Sequence, residues 1–108
     1  MIDRKRIYIS GPMSGIPDWN YPAFNAAEEA LHQRGFFDVV NPARISPSTT
    51  PWEQCLRADI KALCDCDIIA LLEGWEVSKG AHLEVHVAHR LGIEVLSINK
   101  LLDGTRPA

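Results

Sequence analysis

The sequence has no strong charge of either sign, no long apolar run and few cysteines. Fourteen acids against eleven Lys and Arg leave a formal charge of -3, which removes the basic surface needed to grip a nucleic-acid backbone by phosphate neutralisation. The longest nearly apolar stretch, Ile68 to Leu72, is far below the ~20 residues that cross a bilayer. The basic start, Met-Ile-Asp-Arg-Lys-Arg, reaches Ser10 and Gly11 after only a few apolar residues, so no signal-peptide core follows it. These absences predict a cytoplasmic protein that binds neither a nucleic-acid polymer nor a membrane. The three cysteines are odd in number, and Cys64-Asp65-Cys66 is tighter than a zinc CxxC pair. Reduced, structural thiols are expected in that compartment. Internal repeats, low-complexity segments, a P-loop and a dinucleotide-binding glycine pattern are all missing.

What is present is an ordinary globular composition, 46% hydrophobic and 23% charged over 108 residues. That length predicts one domain spanning residues 1–108. Arg6 to Ser10 is a β-favouring run stopped by Gly11-Pro12 and predicts a first strand. Pro22 sits where a helix start tolerates proline, which predicts a helix over Tyr21 to Arg34. Phe36 to Asn41 predicts a second strand, followed by a Ser-, Thr- and Pro-rich loop over Ala43 to Thr50. Thr50-Pro51-Trp52-Glu53 has the form of a capping box opening a second helix that runs to about Cys64. Asp67 to Leu72 predicts a strand covered on both faces. Gly80 to Leu91, closed by Gly92, predicts a third helix, then Ile93 to Ile98 a fourth strand and Asn99 to Ala108 a polar tail. This alternation implies a doubly wound α/β sheet. Ligands of such sheets bind beyond the carboxyl ends of the strands, so the loops Ser10 to Asn20, Asn41 to Thr50 and Glu73 to Lys79 carry the interest.

Two acids stand where core is expected. On a helical wheel Glu84 falls near the centre of the arc formed by Ala81, Leu83, Val87, Ala88 and Leu91. An unpaired carboxylate facing a core costs several kcal/mol, so Glu84 is either ion-paired with a neighbouring Arg or Lys or lines a pocket. Asp59 lies at the edge of the stripe of Trp52, Leu56, Ile60 and Leu63. It is either a boundary residue or the second member of a carboxylate pair, the arrangement in which one acid attacks while the other handles protons.

Ser78, just before the third helix, is placed as a helix cap and, with Gly80 beyond it, as an anion site suited to phosphate. Ser10, Gly11, Ser14 and Gly15 form a small-residue loop able to admit a phosphate or sugar. Trp19 and Trp75 lie in loops at the rim of the crevice, able either to stack on a base or to plug the loops. His82, His86 and His89 share one face of the third helix but fall opposite Glu84, so a solvated or subunit-contact face is read there rather than a metal site.

Tyr8-Ile9-Ser10-Gly11-Pro12, Arg57-Ala58-Asp59, Cys66-Asp67 and Ser78-Lys79-Gly80-Ala81-His82-Leu83-Glu84, followed by Ala88 and Leu91-Gly92, together resemble the nucleoside 2-deoxyribosyltransferase-like superfamily. Within it the chain resembles a small phage- and prophage-associated family of unknown function (DUF4406-like) and, next to that, the 2'-deoxynucleoside 5'-monophosphate N-hydrolases. The resemblance implies a Rossmann/flavodoxin-like three-layer sandwich whose parallel sheet has four strands in the order 2-1-3-4, or a fifth besides. It implies Glu84 as nucleophile, Asp59 assisting the leaving base, and Tyr8 orienting Glu84. Transferases of the superfamily place a sugar-binding acid where this chain has Ser78, whereas the monophosphate hydrolases place a phosphate-binding serine. The implied reaction is hydrolysis or transfer at the N-glycosidic bond of a nucleoside or nucleotide, with no cofactor and no metal. The alternative is a module that binds a nucleotide without turning it over. The superfamily's enzymes carry a fifth strand and a further helix beyond Asn99 to Ala108, and a neighbouring subunit lends a residue from that region. A homodimer or higher homo-oligomer is therefore implied.

Overall fold

The computed structural model describes residues 5–104. The first residues of the basic start (1–4) and the end of the expected tail (105–108) lie outside that range. Four strands form one parallel sheet in the order β2-β1-β3-β4: β1 (Ile7–Ser10), β2 (Val39–Val40), β3 (Ile68–Leu71) and β4 (Glu94–Ser97). β1 and β3 sit at the centre, paired Ile7 to Ile68 through Ser10 to Leu71, and all eight of their residues are buried. That burial on both faces is why they are apolar without alternation.

Helices cover both faces, giving the expected three layers. On one side α1 (Tyr21–Gln33) and α4 (Ile98–Gly104) pack Phe24, Leu31, Ile98 and Leu101 against Ile7, Ile9, Ile68 and Ala70. On the other side α2 (Trp52–Leu63) and α3 (Lys79–Leu91) lie over Tyr8, Ile69 and Leu71, with Leu63, Ala88 and Ile93 filling the layer. The parallel sheet in its 2-1-3-4 order is as expected from the sequence.

Four local expectations are corrected. The second strand shrinks from Phe36–Asn41 to two residues, because Phe37 turns outward, 80% exposed, and stacks on His32 instead. Asn41 leaves the strand to cap a 3-10 turn: its side chain accepts from the Ala43 N–H and donates to Asn25 and Glu28. The Thr50 capping box does not form. Pro51 takes the cap position without a side-chain hydrogen bond, and the Thr50 carbonyl accepts from the Cys55 thiol. Finally, the tail is helical as far as Gly104. Ile98 and Leu101, three apart, reach the core together, and Arg34 at the end of α1 donates to the Leu102 carbonyl.

Candidate active site

A cavity of about 780 Å³ opens at the carboxyl ends of β1 and β3. Its walls come from the three loops singled out by the topology, from Ser10–Trp19, Pro42–Thr50 and Val77–Gly80, together with the inward faces of α1, α2 and α3. Parallel strands deliver this arrangement, since their helices begin where the strands end and helix N-termini converge on the crevice.

Glu84 forms part of the cavity wall and is 5% exposed. The buried face of α3 is Ala81, Glu84 and Ala88, whereas Leu83 and Leu91, expected beside them, are exposed. The small alanines let α3 approach the sheet closely enough for the one polar side chain of its buried face to reach β1. There the Tyr8 hydroxyl donates to Glu84 Oε2 at 2.8 Å and the Ser10 hydroxyl donates to Oε1 at 2.6 Å. Among the described residues no Lys, Arg or His forms an ion pair with Glu84. The ion-paired reading of this residue is thereby set aside.

Burial pushes the Glu84 carboxyl up to about 7, against the pull of the two hydroxyl donors, which favour its charge. Asp59 projects from α2 into the same cavity and is half-buried. Its carboxyl is pushed up to about 7 by desolvation and by the negative charge of Glu84. Among the described residues no hydroxyl or amide holds Asp59, so the two hydroxyl donors favour the anion of Glu84, and that charge in turn favours the protonated form of Asp59. The phenol of Tyr8 is driven well above its ordinary range, chiefly by burial and then by Glu84. It remains a neutral donor.

Ser78 caps α3, its Oγ accepting from the Ala81 N–H at 3.1 Å. No acceptor among the described residues takes the Ser78 hydroxyl hydrogen, and the first-turn N–H groups of Lys79 and Gly80 have no intrahelical acceptor. Ser78, Lys79 and Gly80 all line the cavity. On the opposite lip Asp18, Trp19 and Asn20 follow one another in the left-handed region at φ 54°, 55° and 60°. Each such non-glycine residue costs about 1 kcal/mol. The turn is held by Asn20, whose amide donates to the Pro12 carbonyl, and by the Trp19 N–H on Ile16. It sets the Trp19 side chain in the cavity wall.

The remaining expected residues divide. Gly11 and Ser14 line the cavity. Gly11 has a structural reason to be glycine, because a Cβ there would stand 2.8 Å from Leu72 Cβ. Gly15 lies outside the lining and serves its turn at φ +80°. Trp75 is also outside: it packs on the layer beneath α3 and against His82, ring centroids 5.2 Å apart, so the stacking partner it has is a histidine. His82, held also by the Glu76 carbonyl, His86 and His89 are exposed. Among the described residues no group of three or more His, Cys, Asp or Glu is placed to hold a metal ion. All three cysteines are free, and burial pushes the Cys66 thiol up to about 12. Sequence reasoning passed over Lys79, Tyr21, Trp52 and Cys55 in the wall. Trp52 and Cys55 had a signal in their spacing of seven and four from Asp59.

Comparison with known proteins agrees with this architecture. The fold is similar to that of the CMP N-glycosidase BcmB of Clostridium botulinum, at 19% sequence identity and a TM-score of 0.57, over 94% of this chain and 82% of that one. No curated protein matches the sequence. A family model described as a domain of unknown function, DUF4406, matches residues 5–97. The chain belongs to that family.

Proposed function

We propose that this protein cleaves the N-glycosidic bond of a nucleoside or deoxynucleoside 5'-monophosphate, with Glu84 as nucleophile. The observation that carries the reading is a buried carboxylate gripped by two hydroxyls, in no ion pair among the described residues, and facing a cavity that a second acid of raised pKa shares. A structural role offers no reason to turn two such acids into one cavity with neither held in an ion pair among the described residues. Retaining glycoside cleavage requires this division of labour.

In the proposed reaction Glu84 attacks C1' of the sugar as the base departs with the proton of Asp59. Water, or a second base, then resolves the glycosyl ester. The Ser78 hydroxyl and the Lys79 and Gly80 N–H groups receive the 5'-phosphate, with the Lys79 ammonium offsetting the repulsion from the two acids. Trp19 and the apolar wall around Ile16 and Phe24 take the base. The likeness to a CMP N-glycosidase supports a nucleotide as the substrate class. We place the reaction in the cytoplasm, and the resemblance supports a second copy completing the open side of the cavity.

The test is incubation with a panel of ribo- and deoxyribonucleoside monophosphates, followed by chromatography of free base. Base release is expected from the wild type and none from Glu84→Ala, which retains its fold. Equal release by the two proteins would remove Glu84 from the chemistry. Thermal stabilisation by a nucleotide without product would make the protein a binding module.

A further inference from the structure

The two oxygens of Glu84 stand in unlike surroundings, and β1 makes the difference. Side chains two apart on a strand share a face, so Tyr8 and Ser10 both rise toward α3. Tyr8, fully buried and no part of the cavity wall, meets Oε2. Ser10, one pleat nearer the carboxyl end of the strand, meets Oε1 and does form part of the wall. Oε2 thus meets a phenol of the core, whereas Oε1 meets a hydroxyl of a residue in the cavity wall. We infer that Ser10 is a positioning residue that presents Oε1 of Glu84 as the attacking atom, with Oε2 held back by Tyr8.

The expectation from sequence made Ser10 a phosphate or sugar contact. A hydroxyl has one hydrogen to give, and at 2.6 Å that hydrogen belongs to Glu84. Phosphate oxygens need donors, so Ser10 has nothing to offer them. Its carbonyl is committed too, accepting from the Leu72 N–H at 2.8 Å. With the residue 1% exposed, its side chain is fixed on Oε1.

The inference rests on the proposed reaction and adds its atom-level course. Oε1 gives an electron pair to C1' while the C1'–N bond breaks, that pair leaving with the base, which takes the Asp59 proton. In the resulting ester Oε1 is the alkyl oxygen and Oε2 the carbonyl oxygen, where the Tyr8 hydrogen bond persists. Water then attacks C1', the C1'–Oε1 pair returns to Glu84, and the water proton passes to Asp59. Ser10 acts twice: it stops the carboxylate from rotating before attack, and it receives the charge returning to Oε1 when the ester breaks. The other titratable groups facing Glu84 are Tyr8 below it, Asp59 and Cys55 on α2, Lys79 at the head of α3 and Tyr21 on α1.

The experiment compares wild type, Ser10→Ala and Ser10→Cys by base release from the nucleoside monophosphate panel and by carbon-13 NMR titration of the Glu84 carboxyl. Ser10→Ala is expected to lower kcat about ten- to a hundredfold with KM nearly unchanged, the loss of one hydrogen bond to a charged group. Its Glu84 titration moves upward, by roughly one pH unit. Ser10→Cys, a weaker donor on the same carbon, falls between the two. A rise in KM with kcat preserved would make Ser10 a substrate contact and overturn the inference, as would a Glu84 titration identical in all three proteins. Should the wild type release no base, the reaction itself fails; the titration then still decides whether Ser10 holds the carboxylate, an unmoved midpoint overturning that and an upward one supporting it.

Discussion

Replacing Glu84 by Gln is expected to destroy activity and, above neutral pH, to stabilise the fold. The Glu84 carboxyl rises from its ordinary 4.5 to about 7 because burial penalises its charge. A group whose pKa is raised on folding stabilises the native state fully below its unfolded value, and that contribution is lost as the pH rises through the folded value. The window for Glu84 is therefore about 4.5 to 7. The loss across it is about 3 kcal/mol at 1.36 kcal/mol per unit. Gln has no charge to bury, but its NH2 group faces a hydroxyl that must turn to accept, at about 1 kcal/mol. The variant should thus match or fall below the wild type at pH 5 and exceed it by about 2 kcal/mol at pH 8, roughly 8–16 °C in Tm for a domain of this size. Asp59 adds in the same sense, since without the neighbouring charge its carboxyl returns toward its ordinary range. Thermal and urea denaturation of both proteins from pH 5 to pH 8 measures the effect. The difference between them cancels titrations elsewhere in the chain. A gap that stays constant with pH, or a wild type that gains on the variant as pH rises, would refute the reasoning.

Asp59→Asn removes the proton donor. We expect kcat/KM to fall by about 10²- to 10⁴-fold, and the wild-type decline above about pH 7, where Asp59 loses its proton, to vanish from the variant's profile; a declining limb that survives would assign it to another group. Gly11→Ala forces a Cβ to within 2.8 Å of Leu72 Cβ and should cost about 1–3 kcal/mol in a urea titration. An unchanged midpoint would show that β1 and Leu72 can separate freely.

The central strands were readable because burial on both faces leaves unbroken apolar runs, as in Ile68–Leu72, and the three site-bearing loops followed from strand order alone. Glu84 was readable as a polar residue in the middle of an apolar arc. Its partners were not derivable from spacing: Ser10 and Tyr8 lie 74 and 76 positions away, and only the docking of α3 on β1 joins them. Tyr8 was reached through family resemblance, and Ser10 was given a different task. The end of the chain misled for a local reason. Assigning Ile98 to a strand hid its i, i+3 relation to Leu101, and the polar residues between them looked like a tail. Helix entry at Trp52 misled differently, since Thr50 and Glu53 have the right spacing while Pro51 takes the cap.

The grip of β1 on Glu84 also has a consequence in time. The two hydroxyls precede the carboxylate they hold by 76 and 74 positions, and that carboxylate is followed by β4 and α4, which close the sheet and one of its faces. A growing chain on the ribosome therefore carries the hydroxyls long before the acid they are built to restrain. The hydrogen-bonded setting of this carboxylate therefore forms only once α3 has been made and docked on β1.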